Sequence, residues 1–234
     1  MSTNKNIDPQ TLILETLAQK AVVKQTVYEN TIATFKILRS VCKYISQNTQ
    51  KSLKGLNTKI TSSYRESGNS QIELMVAGDL LVFSKHTNVF IFDRSHPIWK
   101  TSLVSQDHYS AYCGVINIYN FLADSFKYNR SEDAGYLIGR IFVNRNMNFI
   151  VEGKRQLGVL YNNFGDQQVE TKTMRNVVQS AILYSLDFDL LVPPYEQNSI
   201  VTVAQMQDNN DYANLKTGKR LGFKFYNEND IESI

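Results

Sequence analysis

The sequence predicts an α+β protein, with a mostly antiparallel sheet, a long N-terminal amphipathic helix and one further helix near 171–187. Three observations carry that reading. Apolar residues recur at three- and four-residue steps from Pro9 to about Asn48, a span without Gly and with no Pro after the first position. Downstream, short alternating or continuous apolar runs rich in β-branched and aromatic residues are separated by polar turns. Most of those runs are joined too closely for βαβ crossovers, so neighbours pair antiparallel.

Residues 1–8 are polar and read as a flexible arm. Asp8-Pro9 is a helix start, because Asp accepts from free backbone amides and Pro lacks the amide that the first turn leaves unpaired. The helix of residues 9–50, or two helices in series, carries Leu14, Leu17, Ala21, Tyr28, Ile32 and Phe35 on one near-heptad stripe that is interrupted near Gln25 and continues to Ile45. Either the body of the domain or a second copy of the chain covers that stripe. These six residues are therefore the candidate interface, and a homo-oligomer is the expected assembly.

A domain of residues 58–226 follows a basic connector containing Lys51, Lys54 and Lys59. Strands are expected at Ile72–Val76, at Leu80–Phe83 and at Val89–Phe92, the last two forming a hairpin around Lys85–Asn88. Ala111–Phe126 fits a helical stripe, but its β-branched and aromatic content favours a strand. Tyr136–Val143 and Phe149–Val151 flank Asn144-Arg145-Asn146-Met147-Asn148, a hairpin with a loop of turn formers. Leu157–Tyr161 reads as a further strand. Met174, Val177, Val178, Ala181, Ile182, Ser185 and Leu186 make one helical face. Ile200–Val203 and Leu221–Phe225 read as closing strands, and the acidic tail 227–234 as frayed.

Composition narrows the function classes. The chain of 234 residues is 42% hydrophobic and 20% charged, which is globular rather than disordered usage. A net charge of +3 is far below that of dedicated nucleic-acid binders. Two cysteines, Cys42 and Cys113, offer neither a disulfide framework nor zinc spacing, and free buried thiols suit the cytoplasm. No run approaches the roughly 20 apolar residues of a membrane span.

Candidate chemistry is sparse. Gly153-Lys154-Arg155-Gln156-Leu157-Gly158 resembles Gly218-Lys219-Arg220-Leu221-Gly222 with one residue gapped. Two such basic turns, with Lys154, Arg155, Lys219 and Arg220 on one face, would hold a phosphate of a nucleotide or nucleic acid. Solvated turn charges are the simpler use of the same residues. His86, His96 and His108 lie among Asp93 and Asp107 at spacings of ten and twelve, which suits no metal pattern. Cys113 near His108, and Asp187-Phe188-Asp189, each read more simply as structural. Lys36, Arg39 and Lys43 make a basic helix face. No metal, cofactor or catalytic group is assigned. The expectation is a non-catalytic binding or assembly protein that self-associates through its N-terminal helix. The alternatives are an anion-binding module and an enzyme whose site is scattered through the fold.

Overall fold

In a computed structural model, residues 8–55, 60–131, 133–165 and 167–188, together with a few positions between 195 and 206, are described. The chain is α+β. Six strands form one antiparallel meander in sequence order: β1 Ser62–Ser67, β2 Gln71–Val76, β3 Asp79–Ile91, β4 Tyr112–Leu122, β5 Tyr136–Val143 and β6 Phe149–Gly153.

The N-terminal helix runs unbroken as α1 Pro9–Thr16, a π-helical turn Leu17–Ala21 and α2 Val22–Leu53. Asp8 caps it by accepting from the Thr11 amide at 3.3 Å, with Pro9 in the first turn. Val27, Thr31, Phe35, Leu38, Cys42 and Ile45 are among its buried positions, three or four residues apart. Phe35, Leu38, Cys42 and Ile45 share one core with Ile72, Leu74, Phe83, Ile116, Ile118 and Ile141 of the sheet's inner face. After the short helices α3 Ser102–Gln106, α4 Ala123–Lys127 and α5 Gln156–Leu160, the helix α6 Thr171–Leu186 lays Met174, Val177, Val178 and Ala181 into the same core. From Phe35 to Ile45 the stripe read from the sequence is the buried one, since those spacings recur on one side of a 3.6-residue helix, whereas Leu14, Leu17, Ala21, Tyr28 and Ile32 of that stripe are not buried.

Strand register keeps large apolar side chains opposed on that face. Ile72 lies across from Phe83, Phe83 from Ile118, Ile116 from Ile141 and Ile141 from Val151. Such cross-strand pairs are the unit that stabilises a sheet. Close helix contact needs a gap in β4, which Gly114 supplies. A Cβ built there would lie 1.8 Å from the Thr31 hydroxyl oxygen.

The β5–β6 turn is built by asparagine. The Asn144 side-chain oxygen accepts from the amides of Asn146 at 2.9 Å and Asn148 at 3.0 Å. Asn30 of α2 donates to the carbonyls of Asn144 and Arg145 at 3.1 and 2.8 Å, which ties the helix to this turn. The outer edge of β6 is occupied: the Phe149 amide donates to Gln167 and the Val151 amide to Tyr161. Covering an edge this way removes a template for unwanted pairing.

Two expectations are corrected. The hairpin expected around Lys85–Asn88 is a bulge inside the single strand β3, because β4 pairs with both halves, Lys85 with Ile116 and Val89 with Gly114. Leu157–Tyr161 is not a strand: Gln156–Leu160 forms the short helix α5. Residues 221–225 and 201 lie outside the described residues; Ile200 and Thr202 are in no regular element and Val203 is helical, so the strand expected at Ile200–Val203 is not seen among the described residues.

The opposite face of the sheet is covered at one end by residues 92–111. Ile98, Val104 and Ala111 pack there on Cys113, Val115 and Phe142. The covering segment starts with an Asx turn, in which Asp93 accepts from the Ser95 hydroxyl at 2.6 Å and from its amide at 2.8 Å. Those two bonds favour the carboxylate and hold the Asp93 pKa below its ordinary value. The contribution of this turn is therefore present at neutral pH and is lost as pH falls through the lowered value. Ser95→Ala is expected to return the Asp93 titration toward the ordinary carboxylate range, read by side-chain carboxyl NMR. An unchanged midpoint contradicts this account of the turn.

Candidate interaction surface

The N-terminal helix divides at its π turn. From Val22 onward one side is buried in the domain, whereas none of Pro9–Ala21 is buried. Leu12, Ile13, Leu14, Leu17 and Val22 are each between 51% and 57% exposed. The Tyr109 hydroxyl donates to the Gln19 side-chain oxygen at 3.1 Å, which links this arm to the sheet domain. The arm holds its helical form by its cap and its own backbone. Its large apolar residues keep more than half of their surface in water.

The six stripe residues separate accordingly. Leu14, Leu17 and Ala21 stand on the exposed arm, Tyr28 and Ile32 are at the border, and Phe35 is 2% exposed inside the core. Phe35 is therefore spent on the chain's own sheet. A π turn inserts an extra residue per turn and shifts the phase of everything before it. The stripe, interrupted near Gln25 in the sequence, thereby becomes two faces. Leu12, Ile13 and Val22 were not among the residues expected at an interface. Leu12-Ile13-Leu14 was the signal for them, since three consecutive apolar residues of a helix cannot all face one core.

The basic turn at Lys154-Arg155 follows β6. Arg155 adopts φ 47° and its guanidinium pairs with Asp187, at the end of α6. The Lys154 amide donates to Ile138 at 3.1 Å. Lys219 and Arg220 lie outside the described residues. Arg155 is thus matched by a carboxylate. Asp187 is that carboxylate, and Phe188 beside it is buried against Tyr136 and Tyr184. On the basic helix face, Arg39 pairs with Glu66 at 3.3 Å.

The histidines are each used locally. His86 sits in the β3 bulge, His96 caps a helical turn through the Ile98 amide, and His108 lies edge-on to Trp99. Among the described residues no group of three metal-ligating side chains converges, and no helix is long and apolar enough to cross a membrane. Cys42 and Cys113 are buried, on opposite faces of the sheet, and desolvation pushes both thiols well above the ordinary cysteine range. A thiol held protonated is a poor nucleophile. Neither cysteine is expected to react with a disulfide reagent in the native protein, and both should react once guanidinium unfolds it. Rapid native reaction of either would contradict the packing described here.

Comparison with known protein families, with curated proteins and with solved structures finds no match.

Proposed function

We propose that this chain is an assembly protein that pairs with a second copy of itself through the helical arm of residues 9–22, the sheet domain then presenting a recognition surface. The observation that carries this is the cluster of half-exposed Leu, Ile and Val side chains on a helix segment that its own domain leaves uncovered. Contiguous exposed apolar surface of that kind marks an interaction site.

Size and charge along the arm favour a copy of the same chain as the occupant. Leu14, Leu17, Ala18 and Ala21 stand at i, i+3, i+4 and i+7, large residues first and small ones last. A two-fold interface must be self-complementary. An antiparallel pairing centred between Leu17 and Ala18 sets each large residue against a small one, Leu14 on Ala21 of the partner subunit and Leu17 on Ala18 of the partner subunit. Between Pro9 and Val23 the only ionic residues are Glu15 and Lys20, which cancel, so two arms meet without net repulsion. Sealing both arms buries on the order of 1,000 Å², the lower bound for a specific interface.

Engineered cysteines test the pairing. Ala18→Cys lies beside the two-fold and should form an intermolecular disulfide on mild oxidation. Ile13→Cys sits roughly 13 Å along the helix from its symmetry mate in an antiparallel pair and should not. Crosslinking at both positions would refute the antiparallel arrangement, and crosslinking at neither would refute the pairing.

A further inference from the structure

On the sheet face away from α2 and α6, a cleft of about 370 Å³ opens where the cover of residues 92–111 ends. Pockets that hold small ligands begin at roughly 300 Å³. Its apolar surface is aromatic. Phe90, at the end of β3, is 41% exposed. Phe92 stacks on Phe142 with ring centroids 4.8 Å apart and on His96 at 4.6 Å. The bulge in β3 carries His86, whose ring meets Phe90 edge-on at 4.7 Å. Bulges re-aim side chains in this way and are enriched beside functional sites.

The polar groups around those rings are fixed and of mixed character. His86 Nδ1 accepts from the Asn88 amide at 3.0 Å, and His96 Nδ1 accepts from the Ile98 amide at 3.2 Å. Each imidazole is thereby locked in orientation, and the neutral ring carries its proton on Nε2, a donor. On the sheet, Arg140 pairs with Glu152 through Oε2, which leaves Oε1 as an acceptor. That ion pair cancels its own charge. Asn117, part-buried on β4, brings an amide with a donor edge and an acceptor edge, and among the described residues its side chain has no hydrogen-bond partner.

We propose that this cleft binds a neutral, planar heteroaromatic ring of nucleobase size, stacked on Phe90 and Phe92 and read at its edge by Asn117, His86 and Glu152. An aromatic surface welcomes any flat ring. The adjacent amide, imidazole and carboxylate select one whose rim alternates donors with acceptors. A strongly anionic ligand fits poorly, because Asp93 and Glu152 both line the cleft and Arg140 is already neutralised.

The test is a titration of the full-length, isotope-labelled protein with adenosine, guanosine, cytidine and uridine, followed by amide NMR. Benzyl alcohol serves as a flat ring without the hydrogen-bonding edge. At least one nucleoside should give saturable shifts centred on His86, Phe90 and Asn117, with benzyl alcohol at least about tenfold weaker. Asn117→Ala should weaken that nucleoside about tenfold with an unchanged circular dichroism spectrum, and His86→Ala likewise. A trinucleotide carries the same ring within a strand. Tighter binding than the nucleoside assigns the source to nucleic acid, equal binding assigns it to a free compound, and either supports the site. Silence with all nucleosides and the trinucleotide overturns the proposal. So does an equal response to benzyl alcohol, or wild-type affinity in both variants.

Discussion

The double variant Leu14→Glu, Leu17→Glu is expected to be monomeric at concentrations where the wild type pairs, with the fold of the sheet domain intact. Both side chains are more than half exposed in the single chain, so their replacement removes nothing from the core. In a two-fold pair each substitution counts twice. Four leucines at about 1.5 kcal/mol apiece amount to roughly 6 kcal/mol, or about four orders of magnitude in the dissociation constant. The four carboxylates at the interface would add repulsion. Sedimentation velocity reads the mass, and thermal unfolding of the variant monitors the fold. Phe35→Glu is the instructive contrast. It places a charge in the shared helix–sheet core, so it should abolish folding rather than pairing. A Leu14→Glu, Leu17→Glu variant that associates like wild type would remove the arm from the interface.

The second large effect is expected at Gly114→Ala. The added methyl would sit 1.8 Å from the Thr31 Oγ1 and 2.8 Å from its Cβ, and Thr31 is 2% exposed. Thr31 has no free rotation with which to yield, because its hydroxyl donates to the Val27 carbonyl at 2.7 Å. Helix α2 must move off the sheet, and overpacking of this kind costs about 1–3 kcal/mol. For a chain of this size that lowers the melting temperature by roughly 3–10 °C. Adding Thr31→Ala removes the hydroxyl and the γ-methyl but keeps Cβ, so the double variant should recover part of the loss. An unshifted melting temperature in Gly114→Ala would mean that α2 does not rest on β4 as described.

Local chemistry explains which parts of this architecture could be read in advance. The buried faces of α2 from Phe35 to Ile45 and of α6 from Met174 to Ser185 follow from spacing, and the β5–β6 hairpin from the turn chemistry of Asn144 and its neighbours. Lys85-His86-Thr87-Asn88 looks like a turn because it is polar. Only its pairing with β4, more than twenty residues away in sequence, keeps it inside one strand. Leu157–Tyr161 has strand-like composition, yet Gly158 packs directly on the Gly153 carbonyl, where a Cβ would come within 2.3 Å, and the segment turns as a helix. That is a tertiary constraint on a local propensity.

The candidate surfaces were legible in the same uneven way. Leu14 and Leu17 were visible as apolar helix positions, but periodicity cannot say where a helix leaves its own domain. The π turn at Leu17–Ala21 marks that place, and nothing in residue type announces it. The aromatic cleft was less legible still. His86, Phe90, Asn117, Arg140 and Glu152 come from four strands, and only the sheet register brings them to one face.

The central claim, that the exposed arm is an interface between copies of this chain, is tested most directly by the molar mass of the wild-type protein in solution. Multi-angle light scattering across the micromolar range should give twice the 26.8 kDa of the single chain, falling toward that value only on dilution. A mass of 26.8 kDa throughout, with the arm helical, would contradict it.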